Sequence, residues 1–230
     1  MYNKQSLTAL IASSTYLVCQ SLALSGELDV GYDSRYISEG RNNLVEGGIT
    51  WIQLSYEVKP SLSLIGLYGA GQDYDELNLS LVYAKTVSAV DYYISYTRLE
   101  FFEDNMNDNE LGMGAAYSFL TAIPFNIAAD AIYSVEAGGS FIEFSLGSEI
   151  AIYTALMLSP YIKAGLDFGY ASADKKGHNH SALGAVLTFN QSASLSYYLL
   201  LEHSISAAHV KIENNQKNHS WFGIHLKYSY

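Results

Sequence analysis

Beyond residue 25 the chain alternates. Apolar side chains recur at every second position, with small or polar residues between them. The last segment shows it most clearly: Phe222, Ile224, Leu226, Tyr228 and Tyr230 share one face, and Trp221, Gly223, His225, Lys227 and Ser229 take the other. A period of two belongs to β-strands. A soluble sandwich also alternates, so the content of the two faces decides. One face is rich in Leu, Ile and Tyr and almost free of charge; the other carries Gly, Ala, Ser and acids. A soluble barrel would turn the bulky face inward and show many charges outside. A barrel in lipid does the opposite, with apolar residues out and small or polar ones in.

Twelve such runs follow one another: Glu27–Ser38, Ile49–Val58, Ser61–Gly71, Leu77–Lys85, Val90–Phe101, Glu110–Phe119, Phe125–Glu136, Phe141–Ile152, Ser159–Ala171, Ala182–Phe189, Ser194–Ser206 and Trp221–Tyr230. Residues 26–230 divided among twelve strands allow about 17 residues each, and a tilted spanning strand uses roughly 9–11, which leaves short connections. The connections alternate in character. Val58–Ser61, Lys85–Val90, Leu120–Phe125, Tyr153–Ser159 and Asn190–Ser194 form one set, and Pro60, Pro124 and Pro160, the only prolines, all fall at it. The other set is longer or more polar: Ser38–Gly48, Gln72–Glu76, Glu103–Asn109, Ala137–Ser140, Ser172–Ser181 and Ala207–Ser220. Short periplasmic turns and longer external loops are the habit of bacterial outer-membrane barrels. The expected fold is therefore all-β: a single antiparallel transmembrane β-barrel of twelve strands.

Composition narrows the picture. Charged residues make up 15% of the 230, against roughly 25% in soluble proteins, while hydrophobic residues make up 49% and Tyr alone numbers 20. Aromatic richness and low charge exclude a disordered chain. No run beyond residue 25 approaches the roughly 18 apolar residues of a spanning helix. The net charge of −11 has the wrong sign for phosphate, so nucleic acid is not an expected partner. Residues 1–25 read as a signal peptide. Lys4 gives a positive start, Leu7–Val18 a mostly apolar stretch, and Ser21-Leu22-Ala23 or Ala23-Leu24-Ser25 a cleavage site. Cys19, the only cysteine, lies in that segment, so the barrel at 26–230 needs no disulfide.

Two segments carry resemblances. The C-terminal strand, with Phe222, Ile224, Leu226, Tyr228 and a terminal Tyr230, resembles the assembly signal of Gram-negative outer-membrane proteins. That resemblance implies insertion by the barrel-assembly machinery. The opening Leu28-Asp-Val-Gly-Tyr-Asp-Ser-Arg-Tyr-Ile-Ser-Glu-Gly-Arg41 resembles the first strand and loop of a small proteobacterial barrel family of unknown function, with the order Glu39-Gly40-Arg41 here. It implies the barrel and brings no activity with it. The resemblance to twelve-stranded channels for acidic oligosaccharides stops at the strand number, because such cargo needs a basic lumen.

With the apolar face outward, the lumen-lining charges can be read off. The acids are Asp29, Asp33, Glu57, Asp91, Asp130, Glu143, Glu149, Asp167 and Glu202; the bases are Arg35, Lys163 and Lys227. Gln53, Asn78, Asn126 and His225 add neutral polar groups. An excess of acids inside low-dielectric walls favours cations. The expectation is a narrow, passive, cation-preferring pore. The alternatives are a closed structural or surface-interaction barrel and a lipid-modifying hydrolase.

The hydrolase reading finds little support in spacing. On a strand a nucleophilic Ser and its His base sit two apart or on neighbouring strands. None of the six histidines has Ser at ±2, and Glu202-His203-Ser204-Ile205-Ser206 only partly resembles the His-x-Ser-Asn segment of lipid A deacylases. The chain is therefore read as a non-enzyme without cofactor. His178, His180, His209 and His219 fall in two adjacent external loops and are candidate metal ligands. The acidic stretch Glu103–Glu110 lacks the third ligand and sixth glycine of an EF-hand, with Met106 and Asn109 there. Outer-membrane lipid and lipopolysaccharide are the expected surroundings and partners; oligomeric state is not legible.

Overall fold

The computed structural model describes residues 26–44, 46–119, 124–173, 176–214 and 217–230. The signal-peptide assignment at 1–25 and Cys19 lie outside the described residues. In chain order the elements are β1 (Gly26–Asp33), β2 (Ile37–Ser38), β3 (Arg41–Asn42), β4 (Ile49–Lys59), β5 (Leu62–Gly71), β6 (Tyr74–Val87), β7 (Val90–Phe101), β8 (Met106–Phe119), β9 (Phe125–Ser134), β10 (Gly139–Ser148), β11 (Ile150–Tyr153), β12 (Leu156–Phe168), β13 (Lys176–Asn190), β14 (Leu195–Ser206), α1 (Ala208–Glu213) and β15 (His219–Ser229).

Each strand from β4 to β15 pairs antiparallel with its sequence neighbour, with β11 continuing β10 past Glu149 along the same edge of β12. The first strand pairs with β4 on one side and β15 on the other, with Gly26 and Tyr230 exchanging two backbone hydrogen bonds at the seam (2.9 and 3.0 Å). Twelve staves thus close into a barrel. Closure removes the free edges that lipid cannot hydrate.

The outer wall is what the alternation requires. Leu54, Leu79, Ile94, Leu111, Leu183 and Ile224 point outward, and Ile224 keeps 57% of its surface. Near the short-turn end, outward Tyr56, Tyr83, Tyr117, Phe125, Phe189, Tyr197 and Tyr228 form an aromatic girdle. Tyr32, Tyr68, Tyr96, Tyr133, Phe168 and Phe222 form a second one towards the long-loop end. Two aromatic rings around an apolar band match the two interfaces of a membrane.

Most departures from the sequence reading fall at the long-loop end; at the other end β12 begins at Leu156 and not Ser159, so Pro160 lies within the strand opposite Ala185 and not at a turn. Strands β8 and β13 begin earlier than expected, at Met106 and Lys176, because their ladders continue through polar residues above the apolar band. Polar residues on both faces hide a strand from a hydrophobicity pattern. The opposite correction applies at the start. The run Glu27–Ser38 is not one strand: β1 leaves the wall at Asp33, opposite Gly223, while the β14–β15 ladder rises further to Ser204 opposite His219. The departing chain turns inward as the β2–β3 hairpin.

Candidate functional site

The hairpin sits inside the barrel. Its tip, Glu39-Gly40, has positive φ at both residues (46° and 70°), the pattern of a tight two-residue hairpin turn. Ile37 packs on Tyr161, Val186, Leu200 and Trp221 of the inner wall. The Gly40 carbonyl accepts from Ser206 Oγ (3.0 Å) and from Asn214 Nδ2 (2.7 Å), and Asn42 N donates to Asn214 Oδ1 (3.0 Å). Arg41 donates to the Ala171 carbonyl (3.1 Å) and pairs with Glu39 (3.3 Å). A β-bulge at Asn179 in β13 prepares the seat by burying Asn179 and His180 together under Gly40.

Around this hairpin the inner carboxylates are held in sets. Asp29 and Asp33 clamp His225 (2.9 and 3.1 Å), while Tyr198 donates to Asp29 and Trp51 to Asp33, each at 2.7 Å. Lys163 lies 3.1 Å from Glu202 and 3.8 Å from Glu143, which also meets His180 at 3.4 Å. Glu202 accepts further from Tyr161 (2.7 Å) and Trp221 (3.3 Å). Tyr93 donates to Asp130 (2.8 Å), Tyr170 to Glu110, and Tyr36, Tyr74 and Asn78 to Glu76. The interior therefore satisfies its acids largely with phenol and indole donors. Burial, then the Glu39 and Glu110 carboxylates, push the loop phenol of Tyr170 above its ordinary range; burial and Glu76 do the same to Tyr36.

Beneath the hairpin lies a cavity of about 270 Å3. Its walls include Tyr36, Trp51, Tyr74, Glu76, Glu110 and Trp221, with Arg35, Glu39 and Arg41 from the hairpin segment.

The residues expected to line the lumen divide by position. Asp29, Asp33 and Arg35 line the cavity. Asp130, Glu143, Lys163 and Glu202 occupy the paired sets just described, and Glu57 is buried on the inner face. Lys227 pairs with Glu27 (2.8 Å) near the seam. Asp91 accepts from Thr86 at the short-turn rim, and Glu149 sits half-buried where β10 gives way to β11. Asp167 is wholly buried and accepts from the N–H groups of Tyr170, Ala171 and Ser172 (2.8, 3.1 and 2.9 Å), which ties down the β12–β13 loop. Sequence reasoning missed Glu76, Glu110, Glu39 and Arg41. The first two were legible: Glu76 shares a face with Asn78, and Glu110 with Gly112 and Gly114. The other two depend on the hairpin.

The loop histidines separate. His178 and His180 fall within β13, not in a loop; His178 is exposed and meets Ser181 Oγ at 3.0 Å, while His180 stacks on Phe141 inside. His209 lies in α1 and His219 opens β15. Among the described residues no group of three or more His, Cys, Asp or Glu is placed to hold a metal. His203 of β14 and Ser220 of β15 form a cross-strand pair at 2.8 Å on the outer wall. No acid hydrogen-bonds this imidazole among the described residues.

No protein-family model matches the sequence, and no curated protein matches it either. Solved structures do match the fold. The KdgM porin aligns with a TM-score of 0.62 at 8% identity, over 89% of this chain and 99% of that one. That porin is also solved in complex with disordered oligogalacturonate. Omp33 of Acinetobacter baumannii gives 0.57 at 8% identity, over 92% and 100%. An outer-membrane channel from Pseudomonas putida F1 gives 0.55 at 9% identity, over 96% and 100%. At such identities the likeness is one of fold. With its apolar band and aromatic girdles, the chain is a twelve-stranded outer-membrane β-barrel of the architecture shared by these porins and channels.

Proposed function

We propose that this barrel is a narrow passive pore that prefers cations. One observation carries the reading: Glu76 and Glu110 face the cavity, and among the described residues neither is hydrogen-bonded or ion-paired to a base. A phenol donor stabilises a carboxylate without cancelling its charge. Behind low-dielectric walls such charges concentrate cations and repel anions. The porin architecture supports permeation. Oligogalacturonate, the acidic saccharide of the KdgM complex, would meet like charge here.

The test is the reversal potential of purified protein in planar bilayers under a KCl gradient. Wild type should show the cation-selective sign. Glu76→Gln with Glu110→Gln should move the potential towards zero, more at low salt where screening is weak. A silent bilayer would remove the pore; unchanged selectivity in the double variant would remove these acids as its cause.

A further inference from the structure

An alkali-metal ion needs oxygen ligands and has little use for aromatic walls. The cavity offers both. Tyr36 stands edge-on to Trp51 with ring centroids 5.1 Å apart; Tyr74 lies 5.6 Å from Tyr36, and Phe101 6.4 Å from Tyr74. All four rings line the cavity, and the run of rings ends at Glu76, which two of the phenols hold in place. Tyr36 shares one proton between both Glu76 oxygens (3.2 and 3.1 Å), and Tyr74 and Asn78 add one donor each, so about one of its four lone-pair sites stays open. Glu110 takes Tyr170 on Oε1. Beside Glu76, Asn78 donates at 3.1 Å while its own Oδ1 is buried without a donor among the described residues. Ring faces attract organic cations, and carboxylates fix their N–H groups by charge-assisted bonds. At about 270 Å3 the space lies just below the roughly 300–1,000 Å3 of ordinary ligand pockets, which suits one small molecule and excludes a saccharide chain.

We infer that the cavity is a binding station for small organic cations, amines or guanidinium compounds with a short hydrocarbon body. An apolar solute would leave the two acids hydrogen-bonded but without a counter-charge, and an anion would be repelled by them. The hydrocarbon lies along the rings and the cationic head meets Glu76 or Glu110. The inference deepens the cation-pore reading and rests on it for transit, whereas occupancy can be measured without any current.

Trp51 and Trp221 are the only tryptophans, and both line this cavity, so intrinsic fluorescence reports occupancy. The folded barrel in detergent is titrated with putrescine, with agmatine and with glutarate, a dianion of similar length. Both cations should give a saturable change and glutarate none. Glu76→Gln with Glu110→Gln should weaken putrescine by about tenfold, and Phe101→Leu, which removes a wall ring but no hydrogen bond to an acid, by about threefold. A glutarate response equal to that of putrescine, or wild-type putrescine affinity in the double variant, overturns the station. Cation-selective KCl current that putrescine neither blocks nor meets with a fluorescence change also overturns it, while leaving the pore intact. Saturable putrescine binding by a barrel that passes no current keeps the station and removes the pore.

Discussion

Lys163 shows how the interior is balanced residue by residue. Its ammonium is almost wholly enclosed, between Glu202 at 3.1 Å and Glu143 at 3.8 Å. Removing one member of such a set leaves the other charges buried and unpaired, which costs about 3–5 kcal/mol. Lys163→Met should therefore lower the urea midpoint of the refolded barrel sharply, and adding Glu202→Gln should restore part of the loss. A midpoint unchanged by the single substitution would show that water already solvates the two acids. The acids were legible in the sequence, because a charge on a strand otherwise apolar on alternate positions must face the lumen. Their partners were not. Parity puts Tyr93 with Asp91, Tyr161 with Lys163 and Tyr198 with Glu202 on the inner face, but they donate to Asp130, Glu202 and Asp29 on other strands, and a period of two along one strand does not say which strands meet inside.

Among the elements the hairpin is decisive, and the sequence concealed it. Tyr32 to Ser38 continues the alternation of β1, and nothing local shows that the chain leaves the wall at Asp33. Only Glu39-Gly40 carries turn chemistry, and its flanking strands are two residues each. Gly40 combines a φ of +70° with close packing: a Cβ there would stand 2.7 Å from His180 Cβ and 2.8 Å from Asn179 Oδ1. Gly47 has a similar φ, +76°, with nothing within 4 Å. Gly40→Leu should thus unseat the hairpin and raise single-channel conductance, while Gly47→Ala bears the backbone cost without the clash and keeps the wild-type value. Equal conductance in the two variants would mean that the hairpin does not set the narrowest point.

For the whole molecule, the number of staves and the outward face were readable because lipid imposes one rule over the entire surface. A residue whose side chain meets hydrocarbon cannot carry charge, so every spanning segment repeats the same alternation. Leu183, outward on β13 and 55% exposed, should accept Arg only at a cost of about 2–4 kcal/mol. Ser95, inward on β7 at the cavity, should accept it more readily. The fraction of heat-resistant folded barrel on gels checks this: Leu183→Arg should lose it and Ser95→Arg should keep most. The loops escape the rule because they lie beyond the band, which is why strand ends at that side were misjudged while the apolar cores of the strands were not.

The seat of the hairpin has a consequence for the order of assembly. Gly40 is made early in the chain, but the groups that hold its carbonyl, Ser206 and Asn214, are 166 and 174 residues further on. No binding place for the hairpin exists until β14 and the segment after it are in position. Closing so long a loop brings its entropic cost before any contact rewards it. The segment translated among the first is therefore among the last to settle, and a barrel whose seam has just closed spends an interval with its mouth wider than in the finished protein.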